Sequence, residues 1–559
     1  AGNVGVAGSL AINSVTNTTV ALLEGDTDSD GAKSSADANG GAVLVEAKND
    51  TTSSTVVAAD VKGTGDKAKV GVGASIGVNV GVNTTVAEVG DGAALTDAGS
   101  VGLNALATHV MTTDVTGGTA GAKVSITPVV AATIAVNTTS ARLGSGSTAL
   151  DVNGAYSSTA DQTSTVSTKA TGQAQGDVAV GASLGATIAV DNVSATVERN
   201  LDAGNGLALE AKSDTSLMTE VKAGAKGAKA AKKDASGNET PEAGTTVDEQ
   251  KKTQLDFAKG RNSKAAGVST TTPEAKTPDT TEQAPSTDKP TNAPSNEKQG
   301  KKVSVAAAIG ATVAYNQAKA EIATGKTVAA GTGKLKVAST TDTNYRTLAT
   351  GEAVSDDVGV AAAVALTATY NKTQANIGSG VTVSDAGDVE VSATSRQNRA
   401  TDTLKTNFQK TMSAEAVSGA SGGEVAVAGS LAVVGNWNET RASIDEGVAM
   451  GTAGAPVGDV TVESDETSKV AAQARAGALS TGGKSKAGVG ASFAVLLSYN
   501  QNTAAVGYDA NQSGSYLPTS IFADSLSVTA TKNRVWFIPP TFADAKNFVV
   551  NDITNLNFD

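Results

Sequence analysis

The 559-residue chain contains no cysteine. Disulfides, thiolate metal sites and cysteine nucleophiles are therefore excluded. His109 is the single histidine, so imidazole clusters are excluded and a Ser–His–Asp triad has one candidate base. Aromatic residues make up only 3%. A core without rings has to be assembled from many thin layers of Val, Ala and Ile. The most apolar runs, 303–315 and 425–437, are about 13 residues long; a membrane-spanning helix needs about 20. Basic residues are outnumbered 43 to 56, for a net charge of −13, which argues against a phosphate backbone as partner. The chain opens at Ala1 with no signal peptide, and reads as a processed piece of something longer.

What the sequence has in quantity is glycine, 61 residues, and repetition. One phrase recurs eight times, as in VGVGASIGVNVGVNTTVAEV from Val70, DVAVGASLGATIAVDNVSATV from Asp177 and EVAVAGSLAVVGNWNETRASI from Glu424. Aligning the copies puts Asn17, Asn83, Asn137, Asp191, Asn316, Asn371, Asn438 and Asn500 in one column. A second phrase follows most copies, for example GLALEAKSDTSLMTEV from Gly206 and GDVTVESDETSKVAAQA from Gly458. It opens with Gly or Asp and then largely alternates apolar and polar residues, the period of a strand. Between the phrases lie GDG, GSG and DAG, which suit tight turns.

A unit of 54–67 residues with almost no aromatics buries too little on its own. Stacking on neighbours would complete a continuous core. The expected fold class is therefore all-β: an elongated parallel β-helix or β-roll solenoid of about eight such units. A row of small β-sandwich modules is the competing architecture. Residues 1–221 form the expected N-terminal half of the array and 302–530 the C-terminal half. The segment between, 222–301, holds six of the 11 prolines and is rich in Thr, Lys and Glu, the composition of a disordered insertion or linker. Residues 531–559 carry Trp536, Phe537, Phe542, Phe548 and Phe558 and read as an aromatic cap or the start of a further domain.

Chemistry-bearing candidates are few. In DTDSDGAKSSAD, Asp26, Asp28, Asp30 and Asp37 match positions one, three, five and twelve of a calcium loop. No helices flank this loop and the motif does not recur, so a polar turn competes with a Ca2+ site. The Asn-Xaa-Ser/Thr sequences at Asn17, Asn83, Asn137, Asn192, Asn371 and Asn438 are formal glycosylation acceptors, but their recurrence points to a structural corner or turn Asn. His109 reads as a surface or rung residue. Tyr315, Tyr370, Trp437 and Tyr499 share one column, as stacking between units or core packing would require. No repeated acidic pair suggests general acid–base work, and the reading is that the chain is not an enzyme.

The phrase VAVAGSLAVVGNWNETRASI from Val425, followed by GDVTVES from Gly458, resembles the repeats of filamentous-haemagglutinin-like and leukotoxin-like filamentous surface adhesins of Gram-negative bacteria. The resemblance implies a secreted, extracellular chain at the bacterial cell surface, the structural shaft of an adhesin that mediates attachment and aggregation. A subunit of an extracellular assembly such as an S-layer, sheath or filament is the alternative. Implied partners are a host or bacterial surface receptor, a glycan or matrix, and other copies through self-association. Nucleic acid is excluded, as is a transmembrane segment in this chain.

Overall fold

The computed structural model describes residues 4–24, 35–62, 69–227, 232–233, 239–240, 302–397, 412–480, 487–508, 517–537 and 542–545. Both repeated phrases form strands, as their period-two patterns predict. Copies of the first phrase give Val4–Leu23, Val70–Val89, Val303–Ile322, Val358–Ile377, Val425–Asp445 and Ala487–Tyr508. The second phrase gives, among others, Ala42–Lys62, Leu207–Gly227, Leu335–Val354 and Val457–Ser480. Two strands, Ser100–Leu143 and Tyr156–Val197, contain a second phrase and the following first phrase without a break.

All of these join one 16-stranded sheet. Within it the first phrases form one parallel wing and the second phrases another. Pairing is in register to the residue: Asn17 lies opposite Asn83, Asn83 opposite Asn137, Asn137 opposite Asp191, and Asp191 opposite Asn316. The column continues through Asn371 and Asn438 to Asn500. Strands from either side of 222–301 pair directly, Val303–Ile322 with Tyr156–Val197 and Leu335–Val354 with Leu207–Gly227. A six-stranded sheet of very short strands, such as Leu201–Ala203 and Thr327–Ala329, closes one side. The turns into it use left-handed glycines at Gly325 (φ 70°) and Gly380 (φ 68°), a conformation in which a Cβ is strained.

The wings pack face to face through their inward residues. Small residues on the first wing receive large ones from the second. A Cβ on Gly77 would sit 2.4 Å from Val115 Cγ2, and one on Gly185 2.5 Å from Val221 Cγ2. Two buried apolar clusters result. One gathers Leu103, Leu143, Tyr156, Leu207 and Val457 near the short-strand sheet. The other gathers Val115, Val129, Val166, Val221 and Tyr345 farther along the wings. The Asn column runs between them.

The expected elongated parallel β-helix or β-roll solenoid of about eight 54–67 residue units is corrected by this connectivity. The structure is all-β and mostly parallel, but it is one sheet folded on itself as a single body. The unit drawn from the sequence starts and stops in mid-strand at Ser100–Leu143 and Tyr156–Val197. Long-range contacts also bind Val457–Ser480 at once to Val389–Gln397, Met412–Gly422 and Ala523–Phe537. The physical reason lies in TAGAKV at 119–124. Small residues there carry extended backbone from one wing to the next with only a register shift between Ala120 and Ala122, a bulge rather than a turn.

Candidate docking face and buried polar belt

Strand alternation decides which residues face the partner wing and which face out. In Val70–Val89 the inward row is Gly71, Gly73, Ser75, Gly77, Asn79, Gly81, Asn83 and Thr85, all buried. The outward row is Val70, Val72, Ala74, Ile76, Val78, Val80 and Val82. The apolar residues therefore point away from the interior and the polar ones into it. Along the wing the large apolar residues stay mostly outward and the inward row stays small: in the next strand the outward row is Val124, Ile126, Pro128, Val130, Ala132, Ile134 and Val136, over inward Ser125, Thr127, Val129, Ala131, Thr133 and Ala135. Leu184, Ile188, Ile309, Leu366 and Leu497 are 41, 42, 43, 37 and 51% exposed. The second wing is ordinary by comparison. Its outward row in Leu207–Gly227 includes Glu210, Lys212, Asp214, Glu220 and Lys222. Ion pairs cross it from strand to strand, Lys212 to Asp161 at 3.3 Å and Lys336 to Glu210.

Register makes the apolar face ridged. One outward column holds Gly8, Ala74, Pro128, Ala182, Ala307, Ala362, Gly429 and Ala491; the next holds Leu10, Ile76, Val130, Leu184, Ile309, Val364, Leu431 and Phe493. A furrow of small residues thus runs beside a ridge of large ones. The Tyr/Trp column also points outward. The Tyr315 and Tyr370 rings stack with centroids 5.6 Å apart and planes 6° apart. A Cβ on Gly435 would lie 2.8 Å from the Trp437 ring, so the indole lies back over its own strand. Tyr315 and Tyr370 thus stack between neighbouring strands, and Tyr370, Trp437 and Tyr499 are exposed, not core.

Inside, side-chain amides form a ladder. Asn17 Nδ2 donates to Asn83 Oδ1 (3.2 Å), Asn83 to Asn137 (2.8 Å) and Asn137 to Asp191 Oδ1 (2.7 Å). Asp191 also accepts from Gln162 Nε2 and Thr215 Oγ1. Its burial pushes the carboxyl above the usual aspartate range. Beyond it Asn316 Oδ1 is buried with no donor among the described residues. Asp191→Asn would supply that donor and remove the buried charge. Because the folded carboxyl titrates high, its stabilising protonated form is lost as pH rises, so the benefit of the amide belongs to neutral pH. The variant is expected to gain about 1–3 kcal/mol at pH 7 and less near pH 3. Urea unfolding at the two pH values measures this.

A second belt is a chain of threonine hydroxyls between the wings. Thr113 bonds Thr133 (2.7 Å), Thr168 bonds Thr133 (2.6 Å) and Thr187 (2.7 Å), and Thr187 bonds Thr219 (2.7 Å). Thr219, Thr312, Thr347 and Thr367 continue it. Satisfied networks of this sort fix register at little net cost.

The motif candidates fall differently. Asp26, Asp28 and Asp30 lie outside the described residues. Asp37 ends a short strand, is exposed, and accepts from Asn39 N at 3.0 Å. Among the described residues no group of three or more His, Asp and Glu could hold a metal ion. The column asparagines sit in mid-strand, not at a corner. Asn83, Asn137, Asn371 and Asn438 are buried and closed to glycosylation in the fold, whereas Asn192 faces out. His109 is inward and 1% exposed. Among the described residues, no helix is long and apolar enough to cross a membrane.

Comparison with family models, with curated proteins and with solved structures finds no match. The resemblance to filamentous-haemagglutinin-like and leukotoxin-like adhesins is therefore corrected, since no relative carries it and the strand connectivity does not reproduce a simple adhesin repeat array. The adhesin shaft and the S-layer, sheath or filament subunit go with it. Both rested on a string of like modules, and the chain is a single all-β body.

Proposed function

We propose that the chain is a non-catalytic binding protein, acting outside the cell, that docks a macromolecular partner on the apolar wing. The observation that supports this reading is a strand pattern inverted in size: outward Val, Ile and Leu over eight paired strands, with mostly small residues, Ala, Gly, Ser, Thr and Asn, inward. Exposed apolar patches of a few hundred Å2 or more mark interaction sites. All-parallel sheets are ordinarily covered on both faces, and here the described residues cover only the inner one. Receptor, glycan and matrix surfaces are the partner classes considered. A face with so few hydrogen-bonding groups favours an apolar protein surface over a glycan.

An apolar fluorescent dye such as anilinonaphthalene sulfonate tests the reading in dilute protein. The chain is expected to bind the dye, and Ile309→Glu to cut that binding severalfold while circular dichroism is unchanged. A parent that binds no dye and associates with nothing overturns it.

A further inference from the structure

We infer that the apolar wing is a self-recognition surface whose occupant is the same wing of a second copy, packed back to back across a two-fold axis. The inference rests on the docking reading above and names its partner.

Three observations choose a second copy. The first is area. Eight strands about 4.8 Å apart, each presenting seven outward residues about 6.6 Å apart, span roughly 1,600 Å2. A stable pair needs only about 800 Å2 from each partner, so a partial overlap suffices. The second is shape. The ridge through Ile76, Leu184 and Ile309 lies directly beside the furrow through Ala74, Ala182 and Ala307. A two-fold axis lying in the interface plane, parallel to these columns and midway between them, places each ridge in the other copy's furrow, since an isologous interface needs both features on one patch. Sheets packed this way sit about 10 Å apart.

The third is charge. Two copies each carrying −13 repel, and the back-to-back arrangement turns both charged wings outward. On the apolar wing, charge is confined to the distal part of the strands. There Arg142, Lys319, Lys372 and Arg441 mix with Glu88, Glu321 and Glu439. This near-balanced margin lies outside the overlap of the two copies, so it is not buried there, and it lacks the large cationic excess that draws a protein onto anionic lipid.

Sedimentation equilibrium from 0.1 to 50 µM, with dye binding read across the same series, tests the proposal. A monomer–dimer equilibrium is expected, with dye binding per chain falling as the dimer forms. Ile309→Glu would bury an unpaired carboxylate in each half of the interface and is expected to weaken dimerisation at least a hundredfold. Met218→Glu makes the same charge change on the outward face of the polar wing and is expected to leave it unchanged. Equal weakening by both variants overturns the proposal. So does a chain that stays monomeric but binds dye, which leaves the docking reading standing, as does a monomer that floats with phosphatidylcholine vesicles. A monomer that binds neither dye nor vesicles overturns both.

Discussion

Arg199→Met is expected to cost about 3–5 kcal/mol of stability, the scale for breaking a buried, fully engaged charge. Arg199 is 3% exposed, and its guanidinium is spent on backbone. Nε donates to Gly144 O (2.5 Å), Nη1 to Ala93 O (2.6 Å), and Nη2 to Gly90 O (2.6 Å) and Ser145 O (3.2 Å). These carbonyls belong to two successive turns, so one side chain ties three levels of the fold together. Burial lowers its basicity, opposed by the nearby Asp91 carboxylate. Methionine keeps the stem's packing; Gly90 O and Ser145 O keep backbone donors in Ala93 N and Gly92 N, but Gly144 O and Ala93 O lose the arginine donor, each costing about 1–3 kcal/mol if no water reaches it. Gly146 is part of the same device: a Cβ there would lie 3.1 Å from the guanidinium carbon. Chemical denaturation of parent, Arg199→Met and Arg199→Lys measures the effect. The lysine variant should recover part of the loss, because it keeps a charge but has fewer donors. A methionine variant within 1 kcal/mol of the parent would show that the turns hold without the bridge.

How far the sequence disclosed this structure differs from feature to feature. Strand positions and register were open to reading because parallel in-register pairing makes an alignment column a spatial column, as from Asn17 to Asn500. The unit boundary was not, because nothing in GGTAGAKV signals that one strand runs on from the second phrase into the first. The inverted face was legible in principle. Period-two alternation in VGVGASIGVNVGV separates a Val/Ile row from a Gly/Ser/Asn row; the error is to assume that the apolar row points inward. What settles it is size, since only glycine opposite Val115 and Val221 lets the wings close. Arg199 left no periodic signal, as no other copy carries arginine after its Val-Glu pair. The Asp26 loop falls outside the described residues, so the calcium reading stands as a proposal.

Lowering the pH from 7 to 4 is expected to remove about 3 kcal/mol of stability through His109 alone. Its imidazole is inward, and neither ring nitrogen has a partner among the described residues. Desolvation brings its pKa down to about 4, against a weak upward pull from Asp50. The unfolded chain binds the proton near the ordinary value of about 6.5. Between those limits the unfolded state holds more protons, so stability falls as pH drops through the window and levels off below it. A gap of about 2.5 units at 1.36 kcal/mol each gives the figure. Asp191, Asp445 and Glu466 are also buried with raised carboxyl pKa values. They act in the opposite sense, favouring the folded state as pH falls, so the raw profile mixes the two. The difference between parent and His109→Leu isolates the imidazole. Leucine, flanked along the inward row by Ala107 and Met111, should match or exceed parent stability at pH 7 and hold a growing advantage down to pH 4. Parallel profiles for the two proteins would mean that His109 ionises within the fold, which requires water to reach the space between the wings.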